Sequence, residues 1–189
     1  MKKRRFSLVL FSIGLFLARP VLAKSWPSDS LFQLNSSWQT QEAKRVKISD
    51  FEGHGYFVAM IFTSCRSVCP LLISDLKFLA KKLGPKVQKN IRFLLISIDP
   101  ETDSPAVLKK YKGKMKLDDR WTLLNGKKAD VTELAAALGF QFKENKIEKF
   151  THSSSVYLMN GKGQVVAKQV QRMKNMDVFL GKASELFSK

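Results

Sequence analysis

Two short apolar runs on either side of one amphipathic helix pattern constrain the fold of this chain more than any other feature. The runs cover residues 57–62 and 93–98, and such runs are typical of strands buried on both faces of a sheet. Between them, apolar residues recur every three or four positions from 69 to 83, which predicts a helix that ends at Gly84-Pro85. A strand, a helix and a strand in this order indicate two parallel strands joined by a crossover helix.

The remaining segments continue this alternation. Weak alternation around Val46 and Ile48 indicates a short hairpin within residues 38–50, ahead of the first buried strand. Further along, the patterns predict helices at 104–111, 130–138 and about 176–187, and strands at 121–124, 155–159 and 165–170. We therefore predict an α/β fold of thioredoxin-like topology with an N-terminal β extension.

The first 23 residues have the organisation of a secretory signal peptide. Residues 2–5 are all basic, residues 6–18 are apolar, and Val21-Leu22-Ala23 supplies the small residues of a cleavage site. The alternative is an uncleaved membrane anchor, and in both cases we expect export to the periplasm or the outer face of the cytoplasmic membrane. We assign residues 1–23 to the signal peptide, 24–33 to a flexible lead-in and 34–189 to one domain.

The chain carries a large positive charge. The whole sequence has a formal net charge of +17; segment 1–23 contributes five basic residues and no acidic one, so 28 basic and 16 acidic residues remain, a net charge of +12. Such a surface favours an acidic partner or an anionic membrane face, or is simply a solvated basic surface. Nucleic acid is not expected as a partner, because an exported protein rarely meets it.

The only two cysteines, Cys65 and Cys69, lie between the first buried strand and its helix. Proline is tolerated only in the first turn of a helix, so Pro70 predicts that both sulfurs lie near a helix N-terminus, where backbone N–H groups stabilise an anion. Arg66 adds a positive charge, and both effects favour the thiolate. Such a pair can form a structural disulfide, exchange with partner disulfides, or bind a soft ion such as Cu(I).

A metal site needs a third ligand, and the chain offers two histidines. His54 lies between glycines just before the first buried strand, in a predicted surface turn. His152 lies three residues before the strand predicted at 155–159. A thioredoxin-type oxidoreductase has a cis-proline in that loop, but here no proline follows Pro105, and His152 stands roughly in its place. A possible third ligand therefore stands where a disulfide-exchange enzyme of this type has its proline.

Three segments resemble motifs of the Sco/SenC family. Residues 62–70 (FTSCRSVCP) resemble its F-T-x-C-x-x-x-C-P motif, residues 97–105 (SIDPETDSP) resemble S-x-D-P-x-x-D-T/S-P, and residues 152–158 (HSSSVYL) resemble H-x-x-x-x-Y-L. The motifs follow the family's order, and the resemblance covers about residues 34–185. Asp99 and Asp103 match a segment expected to shape the loop near the site, without a ligand role.

The resemblance implies a thioredoxin fold that binds copper through Cys65, Cys69 and His152. It also implies a role in supplying copper to, or reducing, the Cu(A) site of cytochrome c oxidase. The expected partner is the oxidase subunit that carries Cu(A), or another periplasmic copper acceptor. Two hypotheses follow: a chaperone that holds and transfers copper, or a thiol–disulfide reductase with Cys65 attacking and Cys69 resolving. A redox or binding module with no role in copper handling is a third.

Two positions depart from the family pattern. The family often has Pro-Asp after the first cysteine, where this chain has Arg66-Ser67. It often has an acidic residue before the histidine, where this chain has Thr151. The site therefore lacks carboxylates that favour Cu(II), and we predict that Cu(I) is the preferred form, with Cu(II) as the alternative.

Overall fold

The computed structural model of the protein describes residues 25–145, 149–170 and 176–187. The helices are α1 (Val68–Lys82), α2 (Pro85–Asn90), α3 (Pro105–Lys114), α4 (Lys128–Leu138) and α5 (Met176–Phe187). The strands are β1 (Trp38–Thr40), β2 (Arg45–Val46), β3 (Gly55–Ile61), β4 (Ile91–Ser97), β5 (Trp121–Gly126), β6 (Phe142–Asn145), β7 (Lys149–His152), β8 (Ser155–Met159) and β9 (Val165–Val170). The predicted signal peptide, residues 1–23, lies outside the described residues.

Seven of these strands form one mixed sheet in the order β2-β1-β5-β4-β3-β8-β9. Strand β4 is parallel to both β3 and β5, as the crossover helices require, whereas β8 pairs antiparallel with β3 and β9 with β8. The β1–β2 hairpin joins the sheet through β5. This arrangement confirms the predicted thioredoxin-like α/β fold with an N-terminal β extension.

A ladder of aromatic rings fixes the register of the parallel strands. Phe57, Phe93 and Trp121 are direct neighbours on β3, β4 and β5, with ring centroids 5.6 Å and 4.1 Å apart. All three are buried, and Phe179 of α5 stacks on Phe57 at 5.9 Å. Stacked cross-strand pairs oppose slippage of one strand along the next. The ladder therefore also fixes which residues stand side by side at the carboxyl ends of β3 and β4.

Three features differ from the sequence-based predictions. Pro85, expected only to end α1, also begins the short helix α2. A separate two-stranded sheet, β6–β7, was not predicted, and it places His152 at the end of a strand instead of in a loop. Of the segment 24–33 that we predict to be a flexible lead-in, Leu31 and Phe32 pack into the core, so the ordered domain begins before residue 34.

Within the described residues, no helix combines the length and hydrophobicity that crossing a bilayer requires.

Candidate metal centre

Two segments far apart in the sequence, the turn between β3 and α1 and the end of β7, bring Cys65, Cys69 and His152 together. Cys65 lies in the turn that follows β3, Cys69 lies in the first turn of α1, and His152 is the last residue of β7. Their donor atoms, two sulfurs and one imidazole nitrogen, all lie within 4.8 Å of one another. Both cysteines are free thiols in this structure. One metal ion could therefore contact all three side chains, and two sulfurs with one imidazole are a suitable donor set for a soft ion.

The half-buried sulfur of Cys65 is surrounded by hydrogen-bond donors. The Cys69 thiol donates to it, and the backbone N–H of Cys69 lies 3.4 Å from its Sγ at the start of α1. With further help from the backbone of Ser67 and Val68, these donors outweigh burial and lower the pKa of Cys65 to about 4. Cys65 is therefore a thiolate at neutral pH. Arg66, whose charge we expected to contribute, is exposed and is not among the main causes of the lowered pKa.

Cys69 has the opposite character. Its pKa is raised, first because its thiol donates to Cys65 and second because it is buried. A coulombic contribution from Asp103 acts in the same direction. In the metal-free protein the pair therefore consists of one thiolate and one thiol, and the second proton leaves only when a cation or an electrophile takes its place.

The ring of His152 is held in a defined orientation. Its Nδ1 lies 2.8 Å from the carbonyl oxygen of Ser153. A carbonyl oxygen can only accept, so Nδ1 carries the proton and Nε2 keeps a free lone pair. The imidazole packs edge-on against Phe62 and is nearly parallel to Phe140, with centroid distances of 5.5 Å and 6.1 Å. Such a hydrogen bond and such packing prepare a histidine to be a ligand.

A buried carboxylate supports the turn that carries Cys65. Asp103 accepts hydrogen bonds from the N–H of Thr63 at 3.1 Å, from the Thr63 hydroxyl at 2.5 Å and from the Ser97 hydroxyl at 2.6 Å. Asp103 is fully buried, and this burial raises its pKa in spite of the three donors. The segment 97–105 thus holds the turn that carries Cys65 through hydrogen bonds to Thr63. This confirms the expectation that the segment shapes the loop near the site.

The hairpin that carries His152 is joined to the same segment by an ion pair. Lys149 Nζ lies 2.5 Å from the buried Oδ2 of Asp99 and 2.5 Å from the hydroxyl oxygen of Thr102. The sequence did not reveal this contact, because it joins residues 50 positions apart. The alternation of Phe140 and Phe142 before the turn, and of Phe150 and His152 after it, was the available signal for the hairpin itself.

The site opens into a cleft of about 580 Å³ between α1 and β7. Its lining includes the exposed side chains of Arg66, Ser67 and Thr151, at the positions where the chain departs from the family pattern. Among the described residues, no acidic side chain lines this cleft. His54, the other histidine, precedes β3, whereas Cys65 follows it, so the two lie roughly 20 Å apart along that strand.

The sequence profile of the family described as SCO1/SenC matches residues 29–186 of this chain. The SCO1 protein homolog of Bacillus subtilis (strain 168) is 31% identical over 134 residues, which is 69% of each chain.

Solved structures of this family also share the fold. BsSco, described as a member of the Sco family of cytochrome c oxidase assembly proteins with a disulfide switch, aligns with a TM-score of 0.68 at 27% identity. That alignment covers 80% of this chain and 91% of BsSco. The copper-bound ScoI of Bradyrhizobium japonicum aligns with a TM-score of 0.68 at 21% identity, over 80% of this chain and 96% of ScoI.

Proposed function

The chain belongs to the SCO1/SenC family, and we propose that it is an exported copper carrier that binds Cu(I) through Cys65, Cys69 and His152. The observation that carries this proposal is the convergence of the three donor atoms within 4.8 Å. The copper-bound state of ScoI, a protein of the same fold, supports copper as the ion. Copper here is cargo: the protein takes it up and releases it again.

The donor set accounts for the choice of Cu(I). Two sulfurs and an imidazole are soft or borderline ligands, whereas Cu(II) is better served by nitrogen and oxygen donors in a tetragonal arrangement. The described residues around the cleft offer no carboxylate for that purpose. The Cys65 thiolate is already formed, so only the Cys69 proton has to be displaced when the cation binds.

The geometry also suits release to another protein. Cys65 and His152 are half-buried at the cleft, whereas Cys69 is fully buried behind them. An acceptor thiol or imidazole can therefore replace the two outer ligands one at a time while Cys69 still holds the ion. Transfer by stepwise ligand exchange avoids a free copper ion.

We assign the acceptor as the Cu(A)-bearing subunit of cytochrome c oxidase, with another periplasmic copper protein as the alternative. The description of BsSco as a member of the cytochrome c oxidase assembly proteins supports this choice. The net charge of +12 outside segment 1–23 favours an acidic docking surface on the acceptor, or an anionic membrane face nearby. The signal-like segment 1–23 supports a location in the periplasm or on the outer face of the cytoplasmic membrane.

The ionisation of the cysteine pair favours a second candidate function, reduction of a partner disulfide. The Cys65 thiolate would attack one partner sulfur, form a mixed disulfide and release the other partner sulfur as a thiolate. Cys69, after losing its proton, would then attack Cys65, forming the Cys65–Cys69 disulfide and releasing the second partner thiol. A partner with its copper-binding cysteines oxidised is the natural substrate.

Anaerobic reconstitution of the purified chain with Cu(I), followed by counting of bound copper, tests the main proposal. We expect one copper per chain in the wild type, loss of tight binding in His152→Ala, and unchanged binding in His54→Ala, the matched control. Wild-type protein that binds no copper contradicts the proposal. Tight binding that survives His152→Ala removes the histidine from the ligand set. A stable mixed disulfide between Cys69→Ser and an acceptor would support the reductase.

A further inference from the structure

We propose that Lys149 is a positioning residue, which aligns His152 with the cysteine pair through its ion pair with Asp99. This inference rests on the proposed copper site and adds a residue that contacts none of the three ligands' donor atoms. It concerns how the cysteine turn and the histidine hairpin, which lie in different sheets or at their ends, are held relative to each other.

The loop that follows β4 contacts both halves of the site. At one end Asp103 binds Thr63, two residues before Cys65. At the other end Asp99 binds Lys149, three residues before His152. The loop itself is tightly closed, because the Asp99 carbonyl accepts from the N–H groups of Thr102 at 3.2 Å and Asp103 at 2.9 Å. One rigid loop therefore fixes the cysteine turn and the histidine hairpin relative to each other.

The histidine hairpin needs such an anchor. Among the residues that the structure describes, β7 pairs only with β6, and neither strand is hydrogen-bonded into the seven-stranded sheet. Short chain connections to α4 and β8 tether the base of the hairpin, and side-chain contacts hold the rest of it beside Cys65. Phe150 supplies an apolar contact with Phe62, at a centroid distance of 5.3 Å, and Lys149 supplies the ion pair. A ring contact tolerates sliding more readily than a hydrogen-bonded ion pair does.

The backbone conformation of Lys149 also supports a positioning role. Its φ of +66° lies in the left-handed region, which glycine and asparagine adopt more readily than lysine. Such a conformation persists where the surroundings impose it. Here the ammonium of Lys149, whose side chain is 38% exposed, reaches the carboxylate of Asp99, whose side chain is only 4% exposed. Removing the lysine would leave that buried carboxylate without its cation, which is unfavourable.

An electrostatic role for Lys149 makes a different prediction from a positioning role. The Lys149 side chain also lines the cleft, so its charge could act directly on the Cys65 thiolate. Lys149→Met removes both the charge and the contact. Asp99→Asn removes the ion pair but keeps the lysine charge. A positioning role therefore predicts weaker copper binding in both variants. A purely electrostatic role predicts that binding changes in Lys149→Met and is not weakened in Asp99→Asn.

The first measurement is Cu(I) affinity by competition with a chromophoric Cu(I) chelator. Changes to groups that orient a metal ligand lower affinity about 10- to 100-fold, and we expect this loss in Lys149→Met and Asp99→Asn. Lys149→Arg should restore binding, because arginine can also pair with Asp99. Lys109→Met is the matched control, since it breaks the exposed Lys109–Glu42 pair elsewhere. In a His152→Ala background, Lys149→Met should have no further effect.

The second measurement needs no copper. In metal-free protein with ¹⁵N-labelled histidine, the Nδ1–H of His152, bonded to Ser153, should give one sharp resonance. Lys149→Met should broaden or shift it and leave the His54 signals unchanged. If the wild type binds no copper but this change is seen, the copper proposal fails and the positioning role stands. The positioning role is overturned if Lys149→Met and Asp99→Asn keep wild-type spectra and affinity. It is also overturned if Lys149→Met lowers the affinity as much in the His152→Ala background as in the wild type.

Discussion

The imidazole of His152 stands edge-on against the ring of Phe62, with centroids 5.5 Å apart and planes at 88°. Phe62 is the residue that follows β3 and lies three positions before Cys65. One side chain therefore connects the end of the central strand to the third donor of the site.

Replacing this ring should disturb the histidine more than the fold. In Phe62→Leu we expect about 1 kcal/mol less stability and about a tenfold weaker Cu(I) affinity, since an aromatic pair contributes about 0.5–1.5 kcal/mol beyond simple burial. Chelator competition and thermal unfolding measure the two effects. Phe78→Leu is the control, because Phe78 lies on the exposed side of α1 at 53% exposure. Equal copper affinity in Phe62→Leu and Phe78→Leu contradicts the orienting role of Phe62.

The lowered pKa of Cys65 predicts an unusual pH profile for alkylation of the reduced, metal-free protein. Since this pKa is about 4, Cys65 is ionised throughout the range between pH 6 and 8. Its rate with iodoacetamide should therefore be nearly constant over that range, whereas an ordinary cysteine reacts roughly tenfold faster per pH unit below its pKa. Cys69 should remain unmodified, because its pKa is raised and its side chain is buried.

Cys69→Ala provides the comparison for this profile. It removes the thiol that is the largest cause of the low pKa, so the Cys65 pKa should rise and a pH-dependent rate should return. Mass spectrometry of time-resolved samples follows both proteins. A steep pH dependence in the wild type would show that Cys65 is a thiol at neutral pH.

Asp103→Asn should destabilise the protein. The buried carboxylate accepts from three donors, and an amide nitrogen in place of one oxygen would face a donor it cannot bind. We expect a loss of about 2–4 kcal/mol in the free energy of unfolding, measured by urea denaturation. Asp118→Asn, which breaks the surface pair with Arg120, should cost less than about 1 kcal/mol. Similar midpoints for the two variants would contradict this account of Asp103.

Docking of an acidic acceptor should depend on the charge beside the cleft. Arg66→Glu reverses an exposed charge at the opening and should slow copper transfer to an isolated Cu(A) domain about tenfold at low salt. The difference should shrink as ionic strength rises. Lys44→Glu makes the same charge change on the remote β1–β2 turn and should transfer at the wild-type rate. Equal rates for the two variants would remove Arg66 from the docking surface.

Local patterns predicted most of the fold because local forces build most of its elements. Ser104 caps α3 by accepting from the Val107 N–H, and Gly139 ends α4 with a φ of +58°, as their residue types indicate. Helix α2 was missed because six residues are too few to show a helical period, and Pro85 suits both a helix end and a helix start.

The three ligands of the site could be predicted from the sequence, but the contacts that hold them in place could not. The two cysteines and His152 could be found from motif spacing and resemblance. The hairpin β6–β7 is short and largely exposed, and within the described part of the chain its strands pair only with each other, so its alternation is weak. The cause of the low Cys65 pKa, a hydrogen bond from Cys69, depends on which sulfur is buried. That burial, like the contact between Lys149 and Asp99, is a property of the folded chain.

The separation of the donors along the chain has a consequence for biogenesis. Cys65 and Cys69 belong to one β–α turn and come together as soon as that unit folds, whereas the hairpin with His152 is added from a segment beyond α4. A chain that ends before β7 therefore carries the two sulfurs without the imidazole, whereas a chain that includes β7 carries all three donors. The full donor set thus exists only in a chain whose β6–β7 hairpin has packed beside the cysteine turn, so three-ligand metal binding is a readout of folding as far as β7.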